Sequence, residues 1–305
     1  MNNNSNLNNE LNDEIDIKYL IKIIFDERRI IIALTAIFSI IAVIFSLSLS
    51  NIYKSTALLS PVGDNASTNQ SLNNIGGLAG LAGINISSAS GGKSTKAITK
   101  IKTLSFFEDN ILPNIFLPDL MASIDWDEES NKVIYKEDLF NTQAQKWSRI
   151  PSSQTSFKEF LEVMEVTQDK TTGFVKISFK HYSPYVAKEW TELVVDQIND
   201  SFRTLDKLEA QASMDYLNAQ MAQTSYSEIK EVIAQILKQK MQQLSLIEAN
   251  EFYVFSYLDS PAVEEEKIEP TRSKISIFGA VFGLLLGILI VIVRDYLNLN
   301  ARKTQ

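Results

Sequence analysis

The sequence predicts an α+β fold in which two transmembrane helices flank a large polar domain with an α/β base and a long, extended helical arm. Two runs, residues 30–50 and 275–293, are apolar and contain no Asp, Glu, Lys or Arg. Between them, residues 173–182 alternate apolar and polar side chains, a pattern typical of a half-buried strand. From Tyr185 to Ser260 there is no Gly or Pro, which permits helices of unusual length.

Both apolar runs are long enough to cross a bilayer, because a hydrocarbon core of about 30 Å needs roughly 20 helical residues. If both cross, the two chain ends lie on one side and the middle lies on the other. Basic residues are enriched on the cytoplasmic side of membrane helices. The terminal segments, before the first run and after the second, contain the basic residues Lys18, Lys22, Arg28, Arg29, Arg294, Arg302 and Lys303. We therefore expect both termini to be cytoplasmic and the middle of the chain to lie on the other side of the membrane.

These bounds divide the chain into five parts. We expect a cytoplasmic tail at 1–29, transmembrane helices at 30–50 and 275–293, a periplasmic domain at 51–274, and a cytoplasmic tail at 294–305. A cleaved signal peptide is the alternative for the first run, since Ser48 and Ser50 are small. The charged lead-in and the apolar run are both longer than in signal peptides, which favours a retained anchor.

The composition excludes several classes of function. The chain has 305 residues, a net charge of −8 and no cysteine. Disulfides, thiolate catalysis and cysteine metal sites are therefore impossible. The acidic balance argues against nucleic acid as a partner, because nucleic acid requires a concentrated basic surface. We expect disorder in the Asn-rich residues 1–12 and a mobile loop in the Gly-rich residues 64–95.

The middle of the chain alternates predicted strands and helices. The predicted order is a strand at 53–61, a helix at 97–111, irregular chain at 119–154, a helix at 157–161, strands at 163–167 and 173–182, an arm at about 184–250, and a strand at 252–258. Ser183 and Pro184 are typical of a helix start, and Ser225 with Glu228 forms a capping-box pattern that restarts the arm. Because residues 252–258 are apolar on both faces, we expect that strand in the centre of the sheet.

No motif predicts a catalytic, cofactor or metal site. Residues 91–95 end like a phosphate-binding loop, but Ser87 stands where the motif needs its first glycine. The only histidine, His181, lacks a neighbouring triad pattern, so we interpret it as structural. The acidic run at 264–266 is typical of a solvated linker. We therefore assign no catalytic, cofactor-binding or metal-binding residue.

Gly279, Gly283 and Gly287 recur every four residues in the second apolar run. This spacing clears one helix face, so that another helix can approach closely. Glycine is also common in transmembrane helices, so the pattern alone does not identify a contact. The partner helix can be the first apolar run, a neighbouring subunit or another integral protein.

The ordered set of segments resembles Wzz-type polysaccharide co-polymerases, also called O-antigen chain length determinants. The segments that carry the resemblance are residues 15–20, 57–61, 77–84, 97–106, 173–184 and 260–263. The resemblance implies a non-enzymatic inner-membrane protein that assembles into a closed ring of identical subunits. It also implies an integral-membrane polymerase, the growing polysaccharide and membrane lipids as partners, with control of the modal length of O-antigen lipopolysaccharide or a related polymer.

Three other functions remain open at this point. The first is a co-polymerase for capsule or exopolysaccharide export, which works with an outer-membrane channel and a separate kinase. Only twelve residues follow Val293, so we expect no fused kinase domain. The second is a two-span periplasmic sensor, and the third is an anchored hydrolase.

Overall fold

The computed structural model describes residues 17–62, 92–250 and 252–303. The chain divides into two compact units, one formed by residues 1–50 with 269–305 and the other by residues 51–268. The predicted Asn-rich segment and all but the last residues of the predicted Gly-rich loop lie outside the described residues. The mixture of helices and strands, with two apolar helices and a long helical arm, confirms the predicted fold class.

The described residues of the first unit form three helices. Their bounds are α1 Ile17–Asp26, α2 Arg28–Ser48 and α9 Arg272–Lys303. α2 and residues 272–295 of α9 each have a mean hydropathy of 2.9, and only 11% and 17% of their apolar windows are buried. By length and composition both helices can cross a bilayer, and their largely exposed side chains are unlike those of a core helix in a soluble protein.

The second unit is built on an antiparallel sheet of four strands in the order β6-β7-β1-β8. Its strands are β1 Tyr53–Pro61, β6 Met164–Gln168, β7 Val175–His181 and β8 Phe255–Asp259. In the register of β1 with β7, Ala57 lies opposite Ile177 and Leu59 opposite Val175, and all four side chains are buried. Lys54 and Lys180 form a pair on the other face. The sheet therefore buries one face and leaves the other polar.

The position of β8 corrects the prediction of a central strand. β8 pairs with β1 alone and lies at the edge of the sheet. The apolar residues Tyr253 and Val254 precede the strand and pack in the core as part of its lead-in. Residues 252–258 are therefore apolar on both faces because the lead-in packs in the core, and not because a second strand lies beside them.

The segment between β1 and β6 contains short elements, which include two hairpins within the predicted irregular chain. The elements are α3 Lys93–Ile101, α4 Leu104–Phe106, a π turn Phe107–Ile111, a 3-10 turn Leu112–Asn114, α5 Leu117–Met121, β2 Ser123–Asp127, β3 Lys132–Tyr135, β4 Phe140–Asn141, β5 Lys146–Trp147 and α6 Ser153–Val163. The single helix predicted for 97–111 is wrong, because Thr103 leaves the helical conformation and caps α4 by accepting a hydrogen bond from Phe106 N.

Two long helices complete the second unit. α7 spans Pro184–Gln223, about 60 Å at 1.5 Å per residue, and α8 spans Ser227–Ala249. The first half of α7 covers the sheet through Trp190, Val194 and Ile198. The predicted capping box is displaced, because α8 begins at Ser227 after Tyr226 and receives no side-chain cap.

The first and last residues of this unit are joined by hydrogen bonds. Ile268 N donates to Ile52 O at 2.9 Å, and Lys267 Nζ donates to Asn51 Oδ1 at 2.9 Å. Ser55 Oγ donates to the carbonyl of Ala262 at 2.7 Å. The entry and the exit of the unit therefore lie side by side.

Candidate functional site

The three glycines of the predicted packing face lie against α2. A Cβ atom built at Gly283 would lie 2.8 Å from Phe38 Cβ and 3.0 Å from Thr35 Cα. Carbon atoms in favourable contact are about 3.5–4.0 Å apart. Since Thr35 Cα belongs to the backbone, α2 cannot accommodate a side chain at this position without a shift of the helix.

The neighbouring glycines make the same close approach one turn away on each side. A Cβ atom at Gly279 would overlap Ala42 Cβ, and one at Gly287 would lie 3.1 Å from Ile31 Cα. All three glycines therefore meet one helix, α2, along a continuous line. Of the three possible partners for this face, the described residues place the first apolar run against it.

The arm, formed by α7 from Leu205 onward and by α8, exposes two apolar stripes. The α7 stripe consists of Leu205, Leu208, Ala212 and Tyr216, of which Leu208 is 59% exposed and Tyr216 65% exposed. The α8 stripe consists of Ile229, Val232 and Ile236, of which Val232 is 56% exposed. Members of each stripe recur at three or four residues and so share one helix face.

The two helices of the arm pack through other residues. Ala210 of α7 and Ile233 and Ile247 of α8 are buried. Lys207 Nζ lies 2.7 Å from Glu248 Oε1 and joins the end of α8 to α7. The two stripes therefore do not cover each other, and each is available to another molecule.

A polar cluster of Lys93, Asp206 and Tyr253 joins the arm to the rest of its unit. Lys93 Nζ lies 2.8 Å from Asp206 Oδ2 and 4.0 Å from the centre of the Tyr253 ring, and Tyr253 also donates a hydrogen bond to Asp206. Burial lowers the pKa of Lys93, but its hydrogen bonds to Asp206 and Tyr253 outweigh burial and raise that pKa. Burial raises the pKa of Asp206, but the same two partners lower it below its usual value.

This cluster explains the lysine of the apparent phosphate-binding motif. Gly92 is the N-cap of α3, and Lys93 is the first residue of that helix. With its ammonium group held by Asp206 and Tyr253, Lys93 connects α3, α7 and the lead-in to β8. Sequence reasoning missed this role, because nothing local in the sequence links residues 93, 206 and 253.

His181 is buried and fully hydrogen-bonded. Ser183 N donates to Nδ1 at 2.9 Å, and Nε2 lies 3.0 Å from the carbonyl oxygen of Asp119, so the neutral ring carries its proton on Nε2. Burial lowers the pKa of His181 to about 4, although the hydrogen bond from Nε2 to the Asp119 carbonyl opposes the shift. These contacts fit a structural residue. Within the described ranges no group of His, Asp and Glu side chains could hold a metal ion.

Comparisons with known proteins identify a family pattern in the first third of the chain. Residues 13–103 match the family model described as Wzz, chain length determinant protein. The resemblance that the sequence predicts is thus confirmed for this segment. A comparison with curated proteins finds no match.

Two of the solved structures that are similar to the chain are polysaccharide co-polymerases. One is a full-length bacterial polysaccharide co-polymerase, 14% identical, with 94% of this chain and 98% of that chain covered and a TM-score of 0.39. The other is a fragment of WzzB, a polysaccharide co-polymerase from Salmonella Typhimurium, 15% identical, with coverage of 72% and 100% and a TM-score of 0.31. At these scores neither structure assigns an activity or an assembly to the present chain.

Proposed function

We propose that this protein is a non-enzymatic, membrane-anchored regulator of the modal chain length of a surface polysaccharide. The observation that carries the proposal is the family match at residues 13–103, which includes α2 and β1. The two apolar helices and the exposed arm between them support it, because they suit a membrane-anchored scaffold. In this proposal an integral-membrane polymerase makes the polymer, and the protein determines how long the chains grow.

In the proposed topology α2 and α9 cross the bacterial inner membrane. The proposal keeps the five parts predicted from the sequence. Residues 1–29 and 294–305 would be cytoplasmic tails, residues 30–50 and 275–293 the membrane spans, and residues 51–274 a periplasmic domain. The glycine line at Gly279, Gly283 and Gly287 would hold the two spans together within the bilayer. Close backbone approach supports this role, since helices in lipid associate through packing and not through the hydrophobic effect.

The arm is the proposed surface for assembly of identical subunits. Contiguous exposed apolar residues on a soluble domain mark an interaction site, and the α7 and α8 stripes are two such surfaces on one arm. When two different surfaces of the same chain pair, the contact is heterologous and closes into a ring if the rotation permits. We therefore propose that the α7 stripe of one copy packs on the α8 stripe of the next.

The experiment that tests the function is the size distribution of surface polysaccharide in a deletion strain and in its complemented parent, resolved on a gel. Length control requires that a modal band in the complemented strain becomes a broad spread in the deletion strain. Complete loss of exported polymer would instead support the capsule or exopolysaccharide export function. An unchanged size distribution in the deletion strain would exclude length control as the function and favour a two-span sensor.

A further inference from the structure

The second unit contains a cleft between the β2–β3 hairpin and the chain that follows it. Its volume is about 520 Å³, within the range of about 300–1,000 Å³ of small-molecule sites. Residues of both strands of the hairpin line the cleft, and Glu137 and Thr142 of the following chain complete the lining. Neither the stripes of the arm nor the glycine line includes any of these residues.

Two aromatic residues, Trp126 and Tyr135, belong to the lining of the cleft. The indole of Trp126 is held in place by the protein itself. Its Nε1 donates to Asn131 Oδ1 at 3.0 Å, and its ring centroid lies 5.7 Å from that of Tyr53 and 6.1 Å from that of Tyr185. An aromatic ring that is fixed in this way offers a flat apolar surface at a small cost in conformational entropy.

The same cleft contains strong hydrogen-bond acceptors on both sides of Trp126 in the sequence. Asp125 and Asp127 belong to its lining. Asp125 Oδ1 accepts a hydrogen bond from Trp126 N at 2.9 Å, and Asp127 accepts one from the hydroxyl of Ser130. The bond from Ser130 lowers the pKa of Asp127, so this carboxyl group is charged at neutral pH. Charged carboxylates form stronger hydrogen bonds with hydroxyl groups than neutral acceptors do.

The charge of the lining discriminates among ligands. Its acidic residues are Asp125, Asp127 and Glu137, and its basic residue is Lys132. Lys132 lies opposite Asp127 in the register of the hairpin, which leaves the other two carboxylates in excess. A phosphate or a uronic acid would therefore be repelled, because like charges within a few ångströms raise the energy of binding. The lining favours a ligand that is rich in hydroxyl groups and is neutral or positively charged.

We infer that this cleft binds a segment of the surface polysaccharide that consists of neutral or amino sugars. A sugar ring has C–H groups on its faces and hydroxyl groups around its edge, so it needs an aromatic surface together with acceptors for its hydroxyls. Trp126 packs against the C–H groups, and Asp125 and Asp127 accept hydrogen bonds from the hydroxyls. The inference rests on the proposed function and names the surface that contacts the growing polymer.

The test measures binding of polymer fragments to the full chain. Oligosaccharides are released from the surface polysaccharide of the complemented strain, radiolabelled and dialysed to equilibrium against the purified protein in detergent. The cleft variant, Asp125→Asn with Asp127→Asn, preserves the shape of both side chains and removes their charge. We expect it to bind about tenfold more weakly, because hydrogen bonds to charged acceptors are about twice as strong as those to neutral ones. The control variant, Glu128→Gln with Glu129→Gln, removes the same charge from exposed residues of the same hairpin that do not line the cleft, and should bind like the unchanged protein.

Equal affinities of the cleft variant and the control variant would show that the cleft is not the binding site and would overturn the inference. Absence of binding by the unchanged protein, or a polymer composed only of acidic sugars, also overturns it. The gel of the deletion strain reports separately on the proposed function. A modal band that depends on the protein, together with any of these binding results, overturns the cleft alone. An unchanged size distribution overturns the proposed function, and with it the identity of the ligand.

Discussion

Asn199 on α7 holds the lead-in to β8 through one buried side chain. Its Oδ1 accepts hydrogen bonds from the backbone nitrogens of Tyr253 at 3.3 Å, Val254 at 2.7 Å and Phe255 at 2.9 Å. Its Nδ2 donates to Phe255 O at 3.0 Å. Asn199 is only 4% exposed, so water cannot readily replace these bonds. We predict that Asn199→Ala destabilises the second unit strongly.

The magnitude follows from the number of lost bonds. Each hydrogen bond contributes a net of about 1 kcal/mol, so four bonds amount to about 4 kcal/mol. Alanine is a better helix former than asparagine, which recovers roughly 0.6 kcal/mol on α7. The expected loss in the free energy of unfolding is therefore about 3 kcal/mol, a large fraction of the stability of an ordinary domain.

Urea unfolding of the full chain in detergent, followed by tryptophan fluorescence, measures this loss. The three tryptophans, Trp126, Trp147 and Trp190, all lie within the second unit and so report on it alone. Asn218→Ala is the matched control, because Asn218 is an exposed asparagine of the same helix. If the two variants unfold with free energies within about 0.5 kcal/mol of each other, the reasoning from buried hydrogen bonds is refuted.

Three further predictions test the apolar pair, the buried histidine and the arm. Gly283→Ala should lower the stability of the pair by about 1–3 kcal/mol in unfolding by sodium dodecyl sulfate, because the added carbon meets the α2 backbone. Val281→Ile adds one carbon on an exposed face, and an equal effect would contradict the packing. The folded pKa of His181, about 4, lies below its usual value of 6.5, so its stability contribution is complete above pH 6.5 and falls by up to about 3 kcal/mol toward pH 4. In His181→Gln the free energy of unfolding should depend less on pH between 6.5 and 4. If it depends on pH as in the unchanged protein, other residues cause the pH dependence. Leu208→Glu should abolish self-association by light scattering. Asn218→Asp adds the same charge at an exposed position of α7 outside the stripe and should leave the mass unchanged. Equal masses for the two variants would refute the α7 stripe as an interface.

Features set by local sequence were predictable. The length of the arm follows from a stretch without Gly or Pro, and the spacing of Gly279, Gly283 and Gly287 puts them on one helix face whatever the partner is. Features set by distant contacts were not predictable. The hairpin of β2 and β3 is anchored by Trp126, whose ring contacts Tyr53 and Tyr185, and a single sequence carries no sign of that contact.

The candidate functional surfaces also combine features that local sequence predicts with features that depend on distant contacts. The apolar residues of the two stripes follow from helical periodicity, but their exposure depends on which residues α8 covers on α7. The cluster of Lys93, Asp206 and Tyr253 joins three segments that are far apart in sequence. Its lysine lies in a motif that suggests a phosphate site, and only the folded structure shows that a carboxylate and an aromatic ring hold its charge.

The hydrogen bonds that join residues 51–55 to residues 262–268 make the middle of this protein a self-contained unit. Its two ends are tied to each other by its own backbone and side chains, so closure of the unit does not require the apolar helices. Residues 51–268 should therefore be a natural fragment for soluble expression. For the same reason, exchange of this unit between related anchors would require matching at only two adjacent points.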